Sequence, residues 1–333
     1  MDKIELEGVD SLRHRKNLLA FSGGTDSSAL FFLLIRHEIE FDIAIVDYQK
    51  RPNSRLETEY AKKLAIKFGK RLFLKECPIK GGNFEKRARE CRYSFFEKII
   101  AEHGYDNLIT AHQLEDMLEW SLMQLCKGAG LVEMVGMKPI EKREGFYLVR
   151  PLLYTPKSAI MDYLKTNEIR YFIDKTNEDI SYKRNYFRHK YAKELVNECA
   201  AGLSRSFRYL NLDKETLLSK MEPKIFKDLY IFKNTGEDTL NLRYIDYALK
   251  RLGYLASSAQ KREILRTRKG VLGSKFAVSI TKNRIFVSPY VKGKMPKKFK
   301  EACRVSRIPP LHRCYIFEKG IDPLEIKKSI ASF

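Results

Sequence analysis

Residues 17–35, NLLAFSGGTDSSALFFLLI, run from a short apolar segment through two glycines into a longer apolar segment. That order builds a strand, a tight turn and a helix, with consecutive glycines where backbone amides can approach a ligand. The pattern then repeats without the glycine pair. NLLAF (17–21), FDIAIVDY (41–48), RLFLKECP (71–78) and NLITAH (107–112) read as strands. Between them DSSALFFLLIRHE, SRLETEYAKKLAIKFG and NFEKRARECRYSFFEKIIAEHG read as helices, the last two stopping at Gly69 and Gly104. Such alternation predicts an α/β domain with a parallel sheet and helices on both faces. Ligands in such sheets bind beyond the carboxyl ends of the strands, so the turns after the first and fourth strands are where chemistry is expected.

The first turn, SGGTDSS, has the glycines of a phosphate-binding loop but no lysine. In a Walker-type loop that lysine supports the β- and γ-phosphates during γ-transfer. Here Gly23 and Gly24 let the backbone come close to a phosphate, the next helix contributes its N-terminal dipole, and Ser22, Thr25, Ser27 and Ser28 add hydroxyls. The Asp26 carboxylate is placed to hold Mg²⁺ against the phosphates. This arrangement suits holding pyrophosphate as a leaving group while the α-phosphate is attacked. A plain glycine turn with a serine-rich helix cap is the simpler reading, and the rest of the chain decides between them.

Further on, FYLVRPLLYT leads into a helix starting near Pro156, and RYFIDKTNEDISYKRNYFRHKYAKEL gives a polar loop and a basic helix. The pattern loosens around residues 199–206, where the charge balance also changes. Residues 1–200 carry 34 Lys and Arg against 30 Asp and Glu, whereas residues 201–333 carry 29 against 12. The expected boundary therefore lies there, within about ten residues, with a catalytic domain over 1–200 and a basic region over 201–333. An excess of positive charge in one part points to a polyanion, nucleic acid above all. Helical segments are expected to about residue 270, followed by a hairpin in KFAVSITKNRIFVSPY with its turn at Lys282–Asn283.

Six dispersed cysteines offer no metal-clip spacing and read as reduced, mostly buried thiols. The acidic start is unlike a signal peptide, and the longest apolar run is far short of the ~20 residues a membrane span needs. A cytoplasmic protein without membrane attachment is expected.

SGGTDSS after a strand resembles the loop of the PP-loop, or N-type ATP pyrophosphatase, superfamily, whose fold is adenine nucleotide alpha hydrolase-like. Within it the chain is similar to the tRNA(Ile)-lysidine synthetase family. The motifs concerned are VDYQKRPNSRLETEYAKKLA, with Tyr48 where histidine is common; RARECRY (87–93), through Ala88, Arg89, Arg92 and Tyr93; TAHQLEDMLEWSLMQLCKGAGL (110–131); RPLL (150–153); and DKTNEDISYKRNYFRHK (174–190). They fall in the family's order across residues 17–190. The later part matches mainly through its size and RIPPLHR (307–313). Gln113, Glu115 and Trp120 depart from the residues usual at their positions.

The resemblance implies a two-step reaction. ATP and Mg²⁺ adenylate C2–O of the wobble cytidine in tRNA(Ile) bearing a CAU anticodon, releasing pyrophosphate. Free L-lysine then displaces AMP, so the tRNA reads AUA instead of AUG. It further implies that the basic C-terminal part, a smaller α+β domain, holds the tRNA. Oligomeric state is left open, a homodimer being one option.

Ser22, Gly23, Gly24, Thr25, Asp26 and Ser27 are the expected nucleotide-binding residues, with Asp26 also the metal ligand. His112 follows the fourth strand, where a contact to phosphate or adenylate is expected. Asp116 and Glu119 share a helix face and suit holding lysine's ammonium groups and deprotonating its amine. Arg92, Arg184 and Arg188 suit bidentate phosphate contact and stabilisation of the α-phosphorus transition state. Two other readings are a 2-thiocytidine-forming PP-loop enzyme, which usually needs paired CxxC cysteines that this chain lacks, and a non-catalytic tRNA-binding protein.

Overall fold

The computed structural model describes residues 4–49, 54–79, 81–82, 84–173, 178–219 and 221–331. The first four residues of DKTNEDISYKRNYFRHK, and residues 50–53 of the earlier VDYQKRPNSRLETEYAKKLA motif, lie outside the described residues. The chain divides into two compact units, Met1–Lys214 and Glu215–Phe333.

In the first unit β1 (Asn17–Ala20), α1 (Thr25–Arg36), β2 (Asp42–Asp47), α2 (Ser54–Lys67), β3 (Leu72–Glu76), α3 (Phe84–His103), β4 (Asn107–Ile109) and α4 (Leu114–Leu125) alternate as read. After them come α5 (Leu131–Met134), β5 (Ile140–Lys142), β6 (Tyr147–Val149), α6 (Lys157–Thr166), α7 (Lys183–Phe187) and α8 (Lys193–Leu218). The sheet order is β3-β2-β1-β4-β6-β5, parallel except for β5, which pairs antiparallel with β6 at the edge.

Successive side chains on a strand face opposite sides, so each central strand serves two cores. Leu19, Ile43, Ile45, Ile109 and Val149 pack with residues of α1, α2 and α6. Their neighbours Leu18, Ala44, Leu108 and Leu148 pack with Phe96, Ile99 and Ile100 of α3. Full burial of each large side chain contributes about 1.5–3 kcal/mol. Register between β1 and β4 is held by Asn17 opposite Asn107. Asn107 donates to Asn17 Oδ1 at 2.8 Å, and Asn17 donates to the Leu12 and Glu40 carbonyls. The strand order reverses between β2 and β4 across β1, and this switch point brings the β1–α1 and β4–α4 turns side by side.

The two units divide after Lys214. The loosening of pattern near 199 is a kink, with Cys199 at φ −126° inside α8, and the helix continues to Leu218. Its later turns belong to the first unit. Asn211 Nδ2 donates to the Tyr154 hydroxyl at 2.9 Å, Arg208 lies 4.4 Å from the centre of that ring, and Lys214 donates to the Val135 carbonyl.

The second unit holds β7 (Lys224–Phe226), β8 (Leu229–Lys233), α9 (Asp238–Arg251), α10 (Ser258–Thr267), β9 (Lys269–Leu272), β10 (Phe276–Ile280), β11 (Arg284–Pro289), α11 (Lys297–Val305), α12 (Pro310–Glu318) and α13 (Pro323–Ile330). Its antiparallel sheet, β7-β8-β11-β10-β9, contains the expected hairpin as β10 and β11. The β7–β8 hairpin, within a stretch read as helical, is a correction. KIFKDLYIFK pairs through Lys224–Ile231, Ile225–Tyr230 and Phe226–Leu229, with Lys227 at φ +56° in the turn. Tyr230 and Phe232 face the core under α9 and α10, while Leu229 and Ile231 face the core under the last three helices.

The cysteine reading is also corrected. Cys77, just beyond β3, and Cys91 on α3 form a disulfide. Of the other four, only Cys303 is buried. Fourteen residues separate the paired cysteines in sequence, and only the packing of α3 against the end of β3 brings them together.

Candidate active site

The chain leaves β1 through Phe21 and Ser22 and enters α1 at Thr25. Gly23 has φ +72°, and a β-carbon there would stand 3.4 Å from both Glu57 and Phe172. The positive φ, more than the space, calls for glycine here. The loop is stitched to a later segment, with Phe172 N–H donating to the Gly23 carbonyl at 2.9 Å. Ser27 closes it from inside. Its hydroxyl accepts from Ser22 N–H at 3.2 Å, lies 3.0 Å from the Ser22 hydroxyl, and donates to the Gly24 carbonyl at 3.2 Å. Ser27 thus shapes the loop. Gly24 caps α1 with extended backbone, and Thr25 and Asp26 occupy the first helical turn, whose amides have no intrahelical acceptor.

The β4–α4 turn supplies the second group. His112 is held by Thr110, whose hydroxyl lies 2.9 Å from Nδ1. Gln113 caps α4, its side-chain oxygen accepting from Glu115 N–H at 2.6 Å, while Gln113 N–H donates to Asp116 Oδ2 at 3.1 Å. The departure to Gln113 therefore has a structural use, because its side chain caps the first turn of α4. Glu115 is buried, and both of its oxygens accept the Lys157 N–H at 3.0 Å. Trp120 N–H donates to the Glu133 carbonyl at 2.9 Å and Ser121 donates to that of Met134, also at 2.9 Å, docking α5 on α4.

The third group arrives on α7 and the single π-turn Arg188–Ala192 that follows it. Arg184 donates to Asp116 Oδ1 at 2.5 Å and to Glu119 Oε2 at 2.8 Å. Arg188 donates to Glu119 through Nε at 2.5 Å and Nη2 at 3.2 Å, and lies 3.5 Å from Asp116. Two acids and two guanidiniums form one charge-balanced quartet in which the Glu119 side chain is wholly buried. The carboxylates expected to hold an ammonium group hold arginines here.

Electrostatics link the groups. Burial raises the Asp26 carboxyl; Lys157 opposes this, the Asp116 charge adds to it, and Arg188 opposes it more weakly. Burial also pushes Asp116 up, but Arg184, His112 and Arg188 together outweigh it and hold the carboxyl below its usual range. Glu119 moves the other way, raised by burial and by Asp116 against the two arginines. His112 is pushed down to about 4, chiefly by burial, with Arg150, Arg184 and Arg92 opposing the pull of Asp116. A neutral imidazole therefore sits among paired charges at pH 7. Burial lifts Glu115 to about 7.

The structure brings Asp26, His112, Asp116, Glu119, Arg184 and Arg188 into one site. Arg92 is half-buried on α3, close enough to act on both His112 and Tyr48. Arg89 is exposed and lies over Tyr93, 4.7 Å from the ring centre. The sequence reading missed Glu115 and Lys157. Lys157 Nζ donates to Asp26 Oδ1 at 2.5 Å and to the Thr25 hydroxyl. A cation at the first position of a helix opposes the helix dipole, and that was the available signal. Mg²⁺ is commonly held by one or two carboxylates and the oxygens of a bound phosphate, and Asp26 beside a glycine loop fits that donor set.

A glycine loop at the carboxyl edge of a parallel sheet, opening a helix whose first turn bears an acid, defines a PP-loop nucleotide-binding protein. The family model described as "PP-loop domain" matches residues 3–195. The chain belongs to the tRNA(Ile)-lysidine synthase family. It is 45% identical over 323 residues to the tRNA(Ile)-lysidine synthase of Campylobacter jejuni subsp. jejuni serotype O:2, covering 96% of this chain and 98% of that one. The Wolinella succinogenes tRNA(Ile)-lysidine synthase is 43% identical with the same coverage, and that of Helicobacter pylori strain 26695 is 41% identical over 90% of this chain and 89% of its own.

Proposed function

We propose that this protein is an ATP-dependent carbon–nitrogen ligase that joins free L-lysine to C2 of the wobble cytidine in tRNA(Ile) carrying a CAU anticodon. The observation that carries this reading is the union of the SGGTDSS loop with the Asp116–Glu119–Arg184–Arg188 quartet in one site, in a chain that aligns with a lysidine synthase over 96% of its residues. The 2-thiocytidine alternative has no comparable support.

In the first step the cytidine C2 oxygen donates a lone pair to the α-phosphorus of ATP, and the bond from that phosphorus to the α,β-bridging oxygen breaks. Pyrophosphate leaves with the electron pair. The loop amides and the start of α1 bind the phosphates. Asp26 would hold Mg²⁺, which supplies charge neutralisation on the phosphate oxygens. Arg92, Arg184 and Arg188 stand by for charge developing at the α-phosphorus. In the second step the lysine ε-amine attacks C2, the C2–O bond breaks with its electron pair leaving on AMP, and the new C–N nitrogen gives up a proton to a neighbouring base. Asp116, kept ionised, is the anion suited to the incoming ammonium, and an arginine must yield to it. His112, kept neutral, is the uncharged base beside that carboxylate.

Residues 215–333 carry 26 Lys and Arg against 11 Asp and Glu, which supports a tRNA-backbone role for the second unit. Among the described residues no helix is long and apolar enough to cross a membrane, and we place the reaction in the cytoplasm with its tRNA. The test mixes protein, ATP, Mg²⁺, radiolabelled lysine and tRNA(Ile) with a CAU anticodon. Label in the tRNA, dependent on ATP, is expected; pyrophosphate release without label would assign a different nucleophile.

A further inference from the structure

We propose that Lys157 supplies, from outside the loop, the phosphate-binding cation that SGGTDSS lacks, and that its ammonium group holds the pyrophosphate part of ATP. The inference rests on the reading of the loop as an ATP site and adds a residue that the loop motif does not contain.

Three observations carry it. First, the side chain reaches the two residues that open α1, donating to Asp26 Oδ1 at 2.5 Å and to the Thr25 hydroxyl. The amides of that first helical turn suit a phosphate, and the ammonium reaches the same turn. Second, the residue is aimed from behind. Its N–H is gripped by both oxygens of buried Glu115, and Pro156, at φ −71°, fixes the approach to α6. A lysine held at its backbone and partly exposed at its head, with 33% of its side chain accessible, can serve a ligand without moving the helix.

Third, the partners of the cations differ. Arg184 and Arg188 each contact the same two carboxylates, Asp116 and the buried Glu119. Among the described residues Lys157 pairs with one carboxylate, Asp26, which would hold Mg²⁺. When that carboxylate turns to a metal, the ammonium group is left to the phosphates. An ammonium is a point charge with three donors, suited to pyrophosphate oxygens in changing positions. In the adenylation step it transfers no proton. It offsets the negative charge that collects on the bridging oxygen and the leaving pyrophosphate as the bond to the α-phosphorus breaks.

The experiment measures binding of inorganic pyrophosphate and of AMP, each with Mg²⁺, by titration calorimetry on the full chain. Lys157→Ala should weaken pyrophosphate by about 10- to 100-fold and leave AMP within about two-fold, with Lys157→Arg recovering most of the loss. Unchanged pyrophosphate affinity would overturn the proposal. So would equal weakening of both ligands, because Lys157 would then only be keeping the loop in shape. A second measurement needs no variant: acetylation of the Lys157 amine in the wild-type chain, read by mass spectrometry, should be suppressed by pyrophosphate and not by AMP. Equal labelling in both would sink the idea even if Lys157→Ala failed to fold. Neither assay contains tRNA or lysine, so absence of lysine ligation by the wild type would overturn the reaction proposed above and leave this result readable.

Discussion

Gly136 lies so close to the indole of Trp120 that a β-carbon there would stand 2.1 Å from Nε1. Trp120, the only tryptophan of the chain, follows Glu119 on α4, and its N–H is already engaged by the Glu133 carbonyl. The missing side chain at 136 makes room for the ring that ties α5 to the helix carrying both site carboxylates. Gly136→Ala should therefore break the indole hydrogen bond and cost about 1–3 kcal/mol, as overpacking does. Denaturant melting reads the cost, and the lone tryptophan's emission should shift to the red. Unaltered emission and midpoint would show that the ring has room to move.

Arg188 contributes two of the hydrogen bonds that Glu119 accepts. Removing Arg188 leaves Arg184 alone to serve both Asp116 and the buried Glu119, and stranding buried charge in this way costs up to about 3–5 kcal/mol. Arg188→Ala should show most of that loss in urea unfolding and lose lysine ligation. Adding Glu119→Gln to it should restore stability by removing the stranded charge, without restoring ligation. Recovery of both together would mean that the quartet serves folding alone.

Asp26→Ala should abolish ATP-dependent lysine incorporation while leaving the fold intact, since Asp26 lies on the first turn of α1 with 28% of its side chain accessible. The check is incorporation across a Mg²⁺ titration. Wild-type incorporation in the variant would remove both the metal role and the phosphate geometry assigned to this turn.

In the second unit, His312 is fully buried, with Nδ1 2.8 Å from the Ser288 hydroxyl and Nε2 3.0 Å from that of Ser279. Burial pushes its pKa down to about 3. The unfolded chain, with an ordinary histidine pKa near 6.5, then binds the extra proton between about pH 6.5 and 3, so stability is full above 6.5 and falls as the pH drops through that window. The expected loss by pH 4 is about 3 kcal/mol. Thermal melts from pH 7 to 4 should show it, and His312→Gln should flatten the slope even though it lowers stability at pH 7. An equal slope in the variant would assign the acid sensitivity to other groups.

The parallel sheet was legible because strand and helix periods alternate cleanly over residues 17–112, with glycines closing α2 and α3. The β7–β8 hairpin was not, because KIFKDLYIFK is short, carries no glycine or asparagine turn signal, and lies among helical patterns. Its pairing is stabilised by faces that exist only once α9, α10 and the last three helices are in place. In the site, the loop glycines, Asp116, Glu119, Arg184 and Arg188 could be read from residue type and spacing. That the two acids would be occupied by the two arginines could not, since 65 residues or more separate each pair along the chain.

By itself, the sequence determined the strand–loop–helix unit, the place of Asp26 in it and the charge of the later residues, because local periodicity, glycine conformation and charge composition are written along the chain. Tertiary structure decided which cation meets Asp26. Lys157 stands 131 residues away, on a helix whose dipole disfavours it, and only the packing of α6 and α1 on one face of the sheet brings it to the loop. The lysine absent from the loop motif is present in the loop's surroundings, because proximity in a folded sheet depends on strand order and not on distance along the chain.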